Sequence, residues 1–232
     1  MTTHQSFLDK FLQNKPKPQC PAEERYPGIQ YALKPSITLV VGRKGMGKSQ
    51  MTVDALRNPR ALKWIYDRII IFSGTFKTQY SKLWSKLSAK GITVIESLEE
   101  TVLTKIYEEQ LGSAEHVLIL SDDMDQQWAK LDQQLVNKII TNSRHCNLSL
   151  TFLVQKMTMV PTIIRSNADC VVAYATSCHR EFQALHNEFS HCGSRQFHQF
   201  FVEATKEPYS FLVCCVQGGK VEMYINWSQK IY

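Results

Sequence analysis

The strongest constraint on the fold is a junction. The apolar, β-branched run Ile37-Thr38-Leu39-Val40-Val41 passes without a break into Gly42-Arg43-Lys44-Gly45-Met46-Gly47-Lys48-Ser49, and an amphipathic stretch follows. A short, nearly continuous apolar run is the pattern of a strand buried on both faces. The glycines after it allow a tight loop whose backbone N–H groups converge on one point, and the following helix adds the partial positive charge of its N-terminus there. The spacing Gly-x4-Gly-Lys-Ser is that of a phosphate-binding loop in its expected strand–loop–helix setting. The residues from Gly42 through Arg43, Lys44, Gly45, Met46 and Gly47 to Lys48 and Ser49 are therefore the nucleotide-binding candidates, with ATP as the substrate. In such a loop Lys48 reaches the β- and γ-phosphates and the Ser49 hydroxyl coordinates Mg2+.

The rest of the chain repeats this alternation. Short apolar runs at 68–72, 93–95, 117–120, 148–154 and 169–174 read as buried strands, and helical patterns fall after Lys48 and across 79–89, 98–110, 127–143 and 161–167. Alternation of this kind predicts an α/β fold with a mainly parallel sheet sandwiched by helices. After Tyr174 the pattern changes to two helices, 180–189 and 195–205, and a terminal strand pair at 211–216 and 220–227 joined through Gly218-Gly219. Five of the eight prolines lie in the first thirty-five residues. Residues 1–34 are accordingly expected to be an arm or linker, whose Phe7-Leu8-Asp9-Lys10-Phe11-Leu12 stretch has amphipathic spacing. Residues 35–232 form the ATPase domain, of which 176–232 are the helices and terminal hairpin.

Composition narrows the class. No uninterrupted apolar run reaches 18 residues, and the first thirty lack the layout of a secretory signal, so an intracellular protein without stable membrane insertion is expected. Seven scattered cysteines are poor material for a disulfide framework. Cys178-His179 and His191-Cys192 lack the spacing of a zinc site. A net charge of +6 and a pI near 8.9 permit contact with a polyanion without demanding it.

Hydrolysis needs acidic groups at a neighbouring strand end, one for the magnesium shell and one for the attacking water. The run Val117-Leu118-Ile119-Leu120-Ser121-Asp122-Asp123 supplies them, with Asp122 assigned to the metal and Asp123 to the water; Asp125 is also placed to cap a following helix. Gln155, at the end of another apolar run, carries an amide able to hydrogen-bond both water and a γ-phosphate. Arg144, closing the 127–143 pattern, is the candidate for a guanidinium supplied to the transferring phosphoryl group from an adjacent subunit, and Arg165 is the second candidate. Lys82, Lys86 and Lys90 recur every four residues and share one helical face, either as DNA phosphate contacts or as a solvated stripe.

Taken together, Gly42 to Ser49, Ser121-Asp122-Asp123, Asn142-Ser143-Arg144-His145 leading into 148–155, and Pro161-Thr162-Ile163-Ile164-Arg165-Ser166-Asn167-Ala168-Asp169 resemble the FtsK/HerA superfamily of ring ATPases. Within it they are similar to the genome-packaging ATPases of double-stranded DNA viruses of the poxvirus, iridovirus, virophage and tectivirus kind. The resemblance covers about residues 36–175. It implies a P-loop NTPase fold of the RecA/ASCE-like type, with Arg144 acting in trans and Gln155 as sensor. It further implies a hexameric or pentameric ring threading double-stranded DNA, capsid or portal/vertex proteins as partners, and a place at the site of virion assembly, in host cytoplasm or nucleus, with association with the virion as an alternative. Cellular relatives usually carry Asp-Glu where this chain has Asp122-Asp123, a departure that bears on Asp123. A nucleoside or nucleotide kinase and a nucleotide-switched assembly protein share the P-loop and remain alternatives at this level. Phosphate transfer to a free nucleoside would mark the kinase, and assembly that follows nucleotide without turnover would mark the switch.

Overall fold

In the computed structural model, which describes residues 20–74 and 92–232, the expected alternation becomes one sheet. Its order is β3-β2-β4-β5-β1-β6-β7-β8-β9. The strands are β1 (Ile37–Val41), β2 (Arg68–Ser73), β3 (Ile92–Ile95), β4 (Val117–Asp122), β5 (Leu148–Val154), β6 (Cys170–Tyr174), β7 (Phe211–Gln217), β8 (Lys220–Ile225) and β9 (Gln229–Lys230). The first six pair in parallel and the last three antiparallel. The helical arm start at 7–12, the 79–89 helix and Lys82, Lys86 and Lys90 lie outside the described residues.

Strand side chains alternate between two cores. On one face Leu39, Val41, Ile70, Phe72, Ile119, Phe152 and Val171 pack beneath helices. These are α2 (Glu100–Gln110), α3 (Asp125–Trp128), α4 (Gln133–Asn142), α5 (Thr162–Ser166), α6 (His179–Phe189) and α7 (Ser194–Ala204). On the other face Val40, Ile71, Leu118, Leu120, Leu153 and Val172 pack against α1 (Lys48–Arg57) and the 3-10 segment Pro27–Leu33.

Three local details depart from the sequence pattern. The helix expected across 127–143 is two helices. The first ends at Trp128, and Asp132 caps the second, accepting from the backbone N–H of Gln134 at 2.6 Å and of Leu135 at 3.3 Å; Asp125 is the first residue of α3 rather than its cap. The end of the stretch read as an arm is packed. Ile29, Tyr31 and Ala32 are buried, Arg25 donates to the carbonyls of Pro59, Ala61 and Lys63, and the Gly28 N–H donates to the Trp227 carbonyl at 2.9 Å. Proline at the first helical position suits that segment because its missing N–H would have had no partner there. Finally, β9 adds a short edge strand that the sequence did not announce. The Gly218-Gly219 turn is where it was expected, with φ of 56° and 77°, both in the left-handed region that a two-residue hairpin turn requires.

Strand order decides the position of the site. Because β5 lies between β1 and β4, the three C-terminal ends are adjacent: Val41 is level with Val154, and Asp122 with Leu153. Ligand sites in open parallel sheets form at such carboxyl ends.

Candidate active site

The loop between β1 and α1 closes on itself. Gly45 and Gly47 take φ of 84° and 89°, which a side chain would strain, and Gly47 is the N-cap of α1. Gly42 has no room for a side chain either, since a methyl group there would come within 3.0 Å of the Tyr174 ring. Lys48 is buried and donates to the Gly42 carbonyl at 2.7 Å and more weakly to that of Arg43 at 3.4 Å, so its ammonium group lies over the loop. Burial pushes that ammonium down in pKa, and Asp123, Asp122 and Asp125 push it back up. Arg43 reaches across to the Ser177 hydroxyl at 2.9 Å, while Lys44 is exposed and Met46 half-buried against the core under α1.

Asp122 ends β4 as a buried carboxylate. The Ser49 hydroxyl donates to its two oxygens at 3.2 and 3.4 Å, and the Ser73 hydroxyl, from the end of β2, lies 3.5 Å away. Burial and the neighbouring Asp123 charge push the Asp122 carboxyl up to about 6, against the opposing pull of Ser49, Lys48 and Ser73. Asp123 adopts φ of 54° while its N–H still donates to Leu153 at 3.2 Å, and its side chain is exposed. That backbone turn separates two consecutive carboxylates, one facing Ser49 and one facing solvent. The turn is held from below by buried Trp128, which donates to Ser121 at 2.8 Å and meets Phe152 edge-on at 5.1 Å between ring centres. Serine hydroxyl and carboxylate oxygens are the hard donors a magnesium ion prefers, and the Ser49–Asp122 contact places one of each together.

Gln155 is exposed between these groups. It borders one cleft with Val41, Gly42 and Arg43, and a second with Asp123, Asp125 and Lys130. The segment after it is tied down by Glu181 of α6, a buried carboxylate that accepts from the Met157 N–H at 2.7 Å and from the Thr158 hydroxyl.

The two arginines sit elsewhere. Arg144 pairs with Asp169, whose other oxygen accepts from the Ile37 N–H at 2.9 Å, so it lies at the amino end of β1. Five residues of strand at ~3.3 Å each put roughly 16 Å between that point and the P-loop, so one chain does not bring Arg144 to its own Lys48. Its side chain is 66% exposed, whereas that of Arg165 is 18% exposed and is held by Glu188, the Val160 carbonyl and Thr162. Arg165 is thus a bracing residue of α5 and α6.

Sequence reasoning missed Ser73 and Glu181. A serine closing an apolar run next to the acidic strand was the only signal for the first, and the second depends on a contact 23 to 24 residues away in sequence.

The family described as Poxvirus A32 protein matches residues 38–196 of the chain. Comparison with curated proteins finds no match. Among solved structures the chain is similar to the genome packaging NTPase B204 from Sulfolobus turreted icosahedral virus 2 in complex with AMP. There the TM-score is 0.61 at 17% identity, covering 82% of this chain and 96% of that one. The DNA-packaging ATPase B204 from Sulfolobus turreted icosahedral virus gives a TM-score of 0.60 at 17% identity, covering 86% of this chain and all of the other. The cytoplasmic domain of the Thermomonospora curvata type VII secretion ATPase EccC gives 0.52 at 11% identity, covering 84% of this chain and 25% of that one. At these identities the likeness is one of fold. No helix among the described residues is long and apolar enough to cross a membrane.

Proposed function

From the premise that the chain belongs to the Poxvirus A32 protein family, we propose that it hydrolyses ATP to move a viral double-stranded DNA genome into a preformed capsid. The observation that carries this reading is the meeting of the P-loop, Asp122 and Gln155 at three adjacent strand ends. The B204 packaging ATPase of the same fold, solved also in complex with ATP-gammaS at 18% identity, supports the choice of nucleotide. Ser49 and Asp122 would hold Mg2+, which when bound neutralises charge on the β- and γ-phosphates.

In this reading the loop amides and Lys48 grip the triphosphate, and Asp123, exposed at the border of a cleft it shares with Gln155, orients the attacking water. Gln155 detects the γ-phosphate through its amide, and Glu181 holds the segment that follows. Arg144 serves the site of the next subunit in a hexameric or pentameric ring. Its guanidinium is already two-thirds open to water, and the Asp169 carboxylate keeps the Ile37 N–H as a partner when Arg144 leaves. Lys82, Lys86 and Lys90 are the sequence's candidates for sequence-independent phosphate contact with DNA. Capsid or portal proteins at the assembly site complete the set of partners.

Turnover measured with and without duplex DNA tests this directly: DNA should raise the rate, whereas a rate indifferent to DNA, or phosphate transfer to a free nucleoside, would contradict it. A shared site adds a sharper expectation. Arg144→Ala and Lys48→Ala proteins are each inactive alone, and a mixture recovers part of the turnover because intact P-loops then adjoin intact arginines. No recovery, with co-assembly demonstrated, would remove Arg144 from the trans role.

A further inference from the structure

Between α7 and β7 the chain makes a tight turn in which the Ser210 N–H donates to the Glu207 carbonyl at 3.1 Å. Pro208 and Tyr209 are its two central residues. Proline at the first suits a type II turn, and the second must then take positive φ, a position that glycine or asparagine fills without strain. Here it is Tyr209, with φ of 64°. A tyrosine held in the left-handed region costs the fold of the order of 1 kcal/mol or more. Its ring gains little from burial in return: Tyr209 is 69% exposed and stacks on no other ring among the described residues. It does lie against the P-loop, since a methyl group on Gly47 would come within 3.2 Å of its Cδ1. The turn is fixed at its far end, where the Phe211 N–H donates to the Asn226 side chain and the Phe211 ring packs between Tyr174 and Trp227.

We propose that Tyr209 is the platform on which the nucleotide base stacks. This rests on the reading of the P-loop as a triphosphate site. The phosphates occupy the loop, so sugar and base must leave it at its solvent side, where Gly47 opens α1 and an aromatic face already stands exposed. An aromatic face accepts any base with little discrimination, since each has a π-face. Tyr209 therefore supplies affinity for a nucleoside, and purine selectivity only through the larger area of a purine ring.

The test compares binding of ATP and of inorganic tripolyphosphate, both with magnesium, to the wild type and to Tyr209→Gly and Tyr209→Phe. Glycine relieves the backbone strain, so its unfolding temperature should be unchanged or higher, and loss of affinity cannot then be laid to misfolding. Tyr209→Gly should bind ATP roughly 5- to 100-fold more weakly, the range that base–aromatic stacking spans, with tripolyphosphate affinity unchanged. Tyr209→Phe should match the wild type for both. If Tyr209→Gly keeps the wild-type ratio of ATP to tripolyphosphate affinity, or weakens both equally, the platform is overturned while the phosphate site stands. If the wild type binds neither, the nucleotide reading falls and takes the platform with it.

Discussion

Replacing Lys48 by alanine should lower ATP turnover by about two to three orders of magnitude, the usual consequence of removing one charge-stabilising donor from a phosphoryl-transfer site. The reason lies in the local balance of charge. Lys48 is the buried cation of a cluster in which Asp122, Asp123 and Asp125 all act on it. Without it a triphosphate carrying several negative charges must enter beside three carboxylates with no buried cation of the chain to offset them. The fold should be little affected, because the carbonyls that Lys48 contacts belong to Gly42 and Arg43 on a loop open to the cleft, where water replaces the lost donor. Turnover within threefold of wild type would place the chemistry elsewhere.

Asp122→Asn should show the opposite coupling, with turnover reduced by a similar factor and the protein made more stable. The sign follows from the proton balance. Burial raises the Asp122 carboxyl from 3.8 to about 6, so between those values the native state holds a proton that the unfolded chain has released. The contribution of Asp122 to stability is then highest below about pH 4, declines as pH rises to about 6, and stays at the lower level above it. A shift of about two pH units corresponds to about 3 kcal/mol at most. An uncharged amide of the same shape avoids that loss and can donate to the Ser49 and Ser73 hydroxyls. In buffer free of nucleotide and divalent metal at pH 7.5, the variant should unfold several degrees higher, on the order of 4–8 °C. The difference should disappear near pH 4. A variant less stable than wild type at both pH values would mean that Asp122 is held by contacts worth more than its desolvation.

What the sequence made legible was what neighbouring residues decide. The run 37–41 and the loop after it needed no distant contact to be read, because burial on both faces and the spacing of Gly42, Gly47 and Lys48 are local properties. The same holds for the Gly218-Gly219 turn. The 127–143 pattern reads as one helix because its apolar spacing runs through Lys130-Leu131-Asp132, and only the geometry of Asp132 reveals that a second helix begins there. Prolines hid the packing of Pro27–Leu33, since they argue against an α-helix but not against a short 3-10 segment.

At the site, Gln155 could be named as the end of an apolar run, but its place between Gly42 and Asp123 depends on β5 inserting between β1 and β4, which is a matter of strand order. Likewise the position of Arg144, at the far end of β1, follows from its pairing with Asp169 across the sheet and not from its neighbours in sequence. Tyr209 was invisible because two facts must combine: a turn conformation that disfavours its side chain and a fold that brings the turn to Gly47.

Titration calorimetry of the full chain with ATP and magnesium, run in parallel on wild type and Lys48→Ala, bears most directly on the phosphate-gripping loop from which every later step derives. Saturable heat at one site per chain, lost or greatly weakened in the variant, is the predicted outcome. Equal heats from the two proteins, or none from either, would contradict it.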